Sequence, residues 1–185
     1  AAGQRNESAL HYHFGSKQRL VQAILEHRVA AVDRVRMDRV EALVAARGTH
    51  DLKAIIRATF EPLTDLLDTE EGVRFVRFSS QVLNDPDFDL PTLALKSGFE
   101  GISRANALIV AALGDLVPEV AVQRQRLMVE MVLTSLALWT RRPDAMVNEP
   151  ARRFFVESLF DAVAGALAAP VSQETLAALR ATSRN

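Results

Sequence analysis

The sequence predicts an all-α protein, on three observations. Apolar residues recur three and four apart through most of the chain. No alternating run of β-branched residues marks a strand. The 8 Gly and 7 Pro sit mostly between the apolar stripes, as punctuation.

Taken in order, Asn6 to His13 reads as a short helix, followed by Phe14-Gly15. Ser16 is a natural N-cap, because its hydroxyl can accept from the free amides of a first turn. The helix it opens runs from Lys17 to about Arg47, a rise of roughly 45 Å. Val21, Leu25, Val29, Val32, Val40, Leu43 and Val44 form its stripe, and Gly48 stops it. Arg28, Asp33, Arg34, Arg36, Asp38, Arg39 and Glu41 form a charged face expected to be wet. Asp51 caps a helix to about Leu67, with Ile55, Ile56, Thr59, Phe60 and Leu63 inward and a kink at Pro62. Glu70 to Leu83 follows, and Asn84-Asp85-Pro86 breaks it. Pro91 to Leu113 reads as one helix on Leu93, Leu95, Phe99, Ile102, Ala105, Leu108, Ile109 and Ala112. Pro118 starts a helix to about Thr140, Pro150 starts one to Ala169, and Ser172 caps a last short one. The total is about eight helices and no sheet.

Composition narrows the functional classes. A chain of 185 residues, 49% hydrophobic and 24% charged, can bury a core and makes one domain or two small ones. With no Cys there is no disulfide framework and no thiolate metal site, which suits a reducing cytoplasm. No apolar run approaches the roughly 20 residues that cross a bilayer, so no membrane partner is expected, and the first residues do not read as a secretory signal. A net charge of -1 argues against a uniformly basic coat. The charge is uneven, however. Residues 1–47 hold eight Lys and Arg against five Asp and Glu, and the rest hold 14 against 18.

Residues 1–20 carry the most specific pattern. The short helix bears polar and aromatic residues (Asn6, Ser8, His11, Tyr12), with Leu10 and Phe14 four apart to anchor its other side. Gly3 precedes it, as a turn between helices often requires. Such a helix suits a DNA major groove. Ser16-Lys17 then joins a helix N-terminus to a cation, a combination that holds phosphate. An ordinary polar helix on a bundle is the plainer reading of any one of these residues.

The string Ala2-Gly3, Leu10, His11-Tyr12-His13-Phe14 and Ser16-Lys17, then Leu20 and a long helix, resembles the second half of the helix-turn-helix in TetR/AcrR-type transcriptional regulators. The spacing from Gly3 to Leu10 is one residue longer than the family's commonest, and His11 stands at its first aromatic position. The resemblance implies a partial DNA-binding head over residues 1–28, joined by the long helix to a ligand-binding and dimerisation body over 29–185. It also implies that the first helix and the positioning helix would precede Ala1. Arg5, Asn6, Ser8, His11 and Tyr12 are the candidates for bases or backbone, and His13 and Lys17 for phosphates. The implied partners are a palindromic double-stranded operator, a small apolar or amphipathic ligand, and a second copy of the chain. The implied function is a ligand-responsive repressor, in which ligand shifts the long helix and changes the separation of the two heads.

In the body, Phe60, Phe75, Phe78, Phe99, Met128, Met131 and Trp139 are candidates to line an apolar pocket, with Ser79, Asn106 and Ser135 as its polar groups. Aromatic and Met residues at this spacing are also ordinary core. Leu127 and Leu136, with Phe155, Leu159, Ala162, Val163 and Ala166, are the candidate dimer face. Packing inside one chain is the competing use of those residues.

Enzyme readings have little to rest on. The sequence has no Gly-x-Ser-x-Gly, His-Glu-x-x-His or Gly-rich phosphate loop. Asp85, Asp87 and Asp89 alternate without the glycine and distal glutamate of a calcium loop. No cofactor, metal or catalytic residue is expected. The rival class is a helical small-molecule-binding or chaperone-like bundle that does not bind DNA.

Overall fold

The computed structural model describes residues 16–90, 92, 97–145 and 147–182. The expected short helix at 6–13 lies outside them. Among the described residues there is no strand. The helices are α1 (Lys17–Ala45), α2 (Leu52–Thr64), α3 (Glu70–Leu83), α4 (Glu100–Leu113), α5 (Pro118–Trp139), α6 (Glu149–Ala168) and α7 (Gln173–Thr182). A 3-10 segment, Asp65–Asp68, joins α2 to α3.

Local chemistry sets most helix starts. Ser16 Oγ accepts from Arg19 N at 3.2 Å, and Asp51 Oδ1 accepts from Lys53 N at 2.9 Å and Ala54 N at 3.2 Å. Thr69 Oγ1 and Asn148 Oδ1 do the same for α3 and α6, at 3.0 and 3.1 Å. Ser172 Oγ accepts from Thr175 N at 3.2 Å.

Three expectations are corrected. First, α1 ends at Ala45, and the left-handed residue beyond it is Arg47 (φ 57), not Gly48. Gly48 N donates to Leu43 O and Arg47 N to Val44 O, both at 3.0 Å, the paired bonds of a Schellman stop. A Cβ at Gly48 would lie 2.5 Å from Leu43 Cδ1, the end of a flexible side chain that can turn aside. Second, no helix runs unbroken from Pro91 to Leu113. Gly98, at φ 71, lies in a turn, and α4 starts afresh at Glu100. Phe99 is therefore a helix-start residue rather than part of a stripe. Third, Asp33 and Arg36 do not lie on a wet face. They are 6% and 4% exposed.

That buried pair explains the restart of α4. Its N-cap position, Phe99, has no side chain able to cap it. Asp33, from α1, performs that role from 68 residues away: Oδ2 accepts from Gly101 N and Oδ1 from Ile102 N, both at 2.9 Å. Arg36 Nη1 closes on the same Oδ1 at 2.5 Å, and Arg36 Nε donates to Thr59 O of α2 at 2.8 Å. One carboxylate and one guanidinium thus join α1, α2 and α4. The approach is close enough that a Cβ on Gly101 would lie 2.5 Å from Asp33 O. Beside this crossing Val40, Ala58 and Ala105 pack as a small cluster of their own.

The main core fills the rest. Ile55 and Ile56 of α2, Val76 of α3, Val132 and Leu136 of α5, and Phe160 and Val163 of α6 are fully buried in it. Pro62 lies within α2, which continues to Thr64 and then tightens to the 3-10 segment. Ion pairs tie α2 to α6, with Arg57 Nη2 2.5 Å from Glu157 Oε2 and Lys53 Nζ 2.5 Å from Asp161 Oδ1. Arg124 Nη1 of α5 donates to Leu167 O at 2.7 Å, a cation at the C-terminal end of α6. Among the described residues no single helix is long and apolar enough to cross a membrane.

Removing half of a buried ion pair leaves the other charge uncompensated. Asp33→Ala should therefore cost about 3–5 kcal/mol of unfolding free energy in urea titrations. Arg47→Gly should gain about 1 kcal/mol in the same assay, because glycine accepts the left-handed backbone without a Cβ penalty.

Candidate ligand cavity and the start of the long helix

A cavity of about 270 Å³ lies among five helices and the segment after α3. Its wall is mostly apolar. It takes Leu25, Val29 and Val32 from α1, Phe60 and Leu63 from α2, and Phe75 from α3. Leu90 precedes α4, Ile102 belongs to it, and Val122, Met128, Val129 and Leu133 come from α5. The polar groups are few: Arg36, Thr59, Ser79, Asp89, Thr92, Asn106, Gln125 and Arg126. An apolar wall with sparse polar groups is the usual form of a small-molecule site.

Two of these groups stand out physically. The Gln125 Nε2 amide is buried with no hydrogen-bond partner among the described residues, a state that ordinarily costs about 1–3 kcal/mol. Arg36 is a cation on the wall of a largely apolar chamber. Burial pulls its pKa below the usual arginine value, while the Asp33 charge and hydrogen bond favour the charged form. Near the opening, Arg126 Nη2 lies 3.2 Å from Asp89 Oδ1, and Thr92 Oγ1 donates to Asp89 Oδ2 at 2.8 Å. The Asp89 carboxyl is accordingly held below its ordinary range, chiefly by the Thr92 bond.

Of the ten residues put forward for a pocket, Phe60, Phe75, Ser79, Asn106 and Met128 line this cavity, and Phe78, Phe99, Met131, Ser135 and Trp139 do not. Phe78 and Met131 pack against the core from outside it. The Trp139 ring instead stacks on Phe155, centroids 4.6 Å apart, with the Arg142 guanidinium 4.5 Å from its centroid. Sequence reasoning missed Arg36, Gln125 and the Asp89–Thr92 stretch. Arg36 carried a usable signal, for it falls four residues after Val32 on the apolar stripe of α1.

The proposed dimer face divides. Leu136, Leu159 and Val163 lie in the chain's own core, because α6 packs on α5 and α2 through them. Phe155 is half-buried on Trp139, whereas Leu127, Ala162 and Ala166 are exposed. Leu138 and Phe154 add to the exposed apolar surface of α5 and α6, at 54% and 75%.

Arg5, Asn6, Ser8, His11, Tyr12 and His13 lie outside the described residues. Lys17 is described, and its Nζ donates to Asp85 Oδ2 at 2.7 Å while lying 5.4 Å from the Phe88 ring centroid. Asp85 Oδ1 also accepts from Asp87 N at 3.1 Å. Further along α1, Arg28 pairs with Glu71 of α3. The first turns of α1 are thus held against α3 and the segment that follows it. That segment, 84–90, has the partner of Lys17 at Asp85 and the cavity wall at Asp89 and Leu90.

Family models, curated proteins and solved structures were all compared with this chain, and none matches.

The Lys17 hydrogen bond and the Asp87 amide favour the charged form of Asp85 and hold its carboxyl below the ordinary 3.8. A folded value below the unfolded one means that the pair's contribution is present above 3.8 and fades as pH falls through the folded value. An NMR titration of the Asp85 carboxyl should therefore give a midpoint below 3.8, moving back toward it in Lys17→Ala. An equal midpoint in both proteins would mean that the pair does not form in solution.

Proposed function

We propose that this chain is a DNA-binding transcriptional regulator of the TetR type, acting as a homodimer and releasing its operator when a small ligand fills the cavity. The observation that carries the reading is the course of α1. One continuous 29-residue helix begins at Lys17, directly after the residues that resemble a recognition helix. The same helix contributes Leu25, Val29, Val32 and Arg36 to the cavity wall. A ligand that rearranges that wall acts on the element that carries the head. The linkage is bounded by its affinity difference between the two arrangements.

Lys17 has two possible partners on this reading, a DNA phosphate and Asp85. The phosphate must take it from the carboxylate. The exposed apolar residues of α5 and α6, with Ala162, Gly165 and Ala166 allowing close approach, supply the face for a second copy. Two heads then reach two half-sites. The rival ligand-binding bundle without DNA binding is supported by the cavity alone.

The test is fluorescence anisotropy on operator candidates selected from random duplex, read against salt. Binding should be sequence-selective. Lys17→Ala should weaken it on every sequence and lower the salt slope by about one. Asp85→Asn should strengthen it about two- to fivefold by removing the competitor for Lys17. Binding that ignores sequence would leave the ligand-binding bundle.

A further inference from the structure

The cavity's charge distribution indicates what kind of ligand it takes. Among the described residues, the charged groups on its wall are Arg36, Asp89 and Arg126. Asp89 and Arg126 are paired and about half exposed, so near the opening they cancel. Arg36 is different, since its side chain is 5% exposed. Its counter-ion Asp33 is fully engaged: Oδ2 holds Gly101 N, and Oδ1 holds both Ile102 N and Arg36 Nη1. The two amides belong to the first turn of α4, and a helix N-terminus carries about half a positive charge. Glu100 in the first turn of α4 is exposed and screened by water, so inside the chamber one guanidinium, one carboxylate and that helix end leave about half a positive charge unbalanced. In such surroundings charge is poorly screened and attracts an anion strongly.

Donor capacity agrees with the charge. Arg36 uses Nε on Thr59 O and Nη1 on Asp33, and Nη2 has no partner among the described residues. Gln125 Nε2 is a second donor on the same wall, buried and without a partner among the described residues. Two unused donors, a positive imbalance and walls of Val, Leu, Ile, Phe and Met together describe a receptor for a carboxylate on an apolar body. A cation would meet Arg36 directly. A neutral apolar molecule would leave the Gln125 amide unsatisfied.

We propose that the cavity binds a small amphipathic carboxylate, its acid group on Arg36 Nη2 and its apolar body between α1, α3 and α5. This rests on the reading of the cavity as the sensor site. It also deepens that reading, because the anion would neutralise the residue that joins α1 to α2 and α4. The acid would compete with Asp33 for Arg36 and so loosen the hold of α1 on the start of α4.

The test is calorimetric titration of the full 185-residue chain with decanoate, decanol and decylamine. Decanoate should bind at least about tenfold more tightly than decanol, and decylamine should not bind. Gln125→Glu puts a second carboxylate on the wall and should weaken decanoate by at least about tenfold, with the fold checked by circular dichroism. Asp33→Asn/Arg36→Gln keeps an oxygen for the α4 amides while removing the charge, and should erase the preference for decanoate over decanol. Equal affinity for decanoate and decanol, tighter binding of decylamine, or no binding of any of the three would overturn the proposal. The same titration with operator present separates the two readings. Decanoate that binds but leaves DNA affinity unchanged would sink the regulatory reading and leave the ligand class standing.

Discussion

The start of α4 has no cap of its own, and that constraint organises the molecule. A buried helix N-terminus with unsatisfied amides is costly, and Phe99 offers no oxygen for them. The carboxylate comes instead from Asp33, in the middle of α1. A lone buried carboxylate would be worse than the problem it solves, so Arg36 accompanies it one turn along the same helix. Arg36 in turn takes a backbone carbonyl of α2 as its second acceptor. Each group is tolerable inside only because the next is present, which makes the crossing of α1, α2 and α4 specific in register. Gly101 follows from the same geometry, since a side chain there would strike the Asp33 backbone.

The cavity is a consequence of this crossing. A guanidinium committed to two partners cannot collapse into the chamber as an aliphatic side chain would. The surrounding Val, Leu and Phe residues must pack around a group whose position is fixed from outside. The Gln125 amide points to the same design: a fold under selection for stability alone would place an apolar residue there. On the proposed reading, that amide, without a partner among the described residues, is satisfied by the ligand.

Local chemistry was legible in the sequence, and long-range pairing was not. Ser16, Asp51 and Ser172 cap the helices they precede, because capping needs only residues three or fewer positions away. The all-α class and most helix bounds follow from period and punctuation in the same way. The errors share a cause. Asp33 and Arg36 read as a wet face, because a charged residue is exposed unless a distant partner says otherwise, and that partner lies beyond Gly98. Pro91 to Leu113 read as one helix because its apolar spacing continues through Ser97-Gly98-Phe99, where the chain turns. Leu136, Leu159 and Val163 read as a partner face, since periodicity identifies an apolar side of a helix but not which neighbour covers it. Half of the anticipated pocket residues fall on the cavity for the same reason.

The segment 84–90 links the start of α1 to the cavity wall in another way. Asp85 holds Lys17 at the start of the helix, and four residues later Asp89 faces the cavity and is tied to Arg126 of α5. Asp87 N bonds back to Asp85 Oδ1 and Phe88 N to Asp85 O, so the segment is a compact turn rather than a slack loop. Displacement at Asp89 is therefore poorly absorbed before Asp85. On the proposed reading a ligand reaches the head by two routes that begin at different walls of one chamber: through Arg36 to the body of α1, and through Asp89 to the carboxylate on Lys17. The routes need not have equal weight. An exposed ion pair such as Lys17–Asp85 is screened and weak, whereas the Asp33–Arg36 junction is buried and strong. The larger share of any coupling free energy must then pass through the junction, with the surface turn adjusting how readily Lys17 is surrendered to a phosphate.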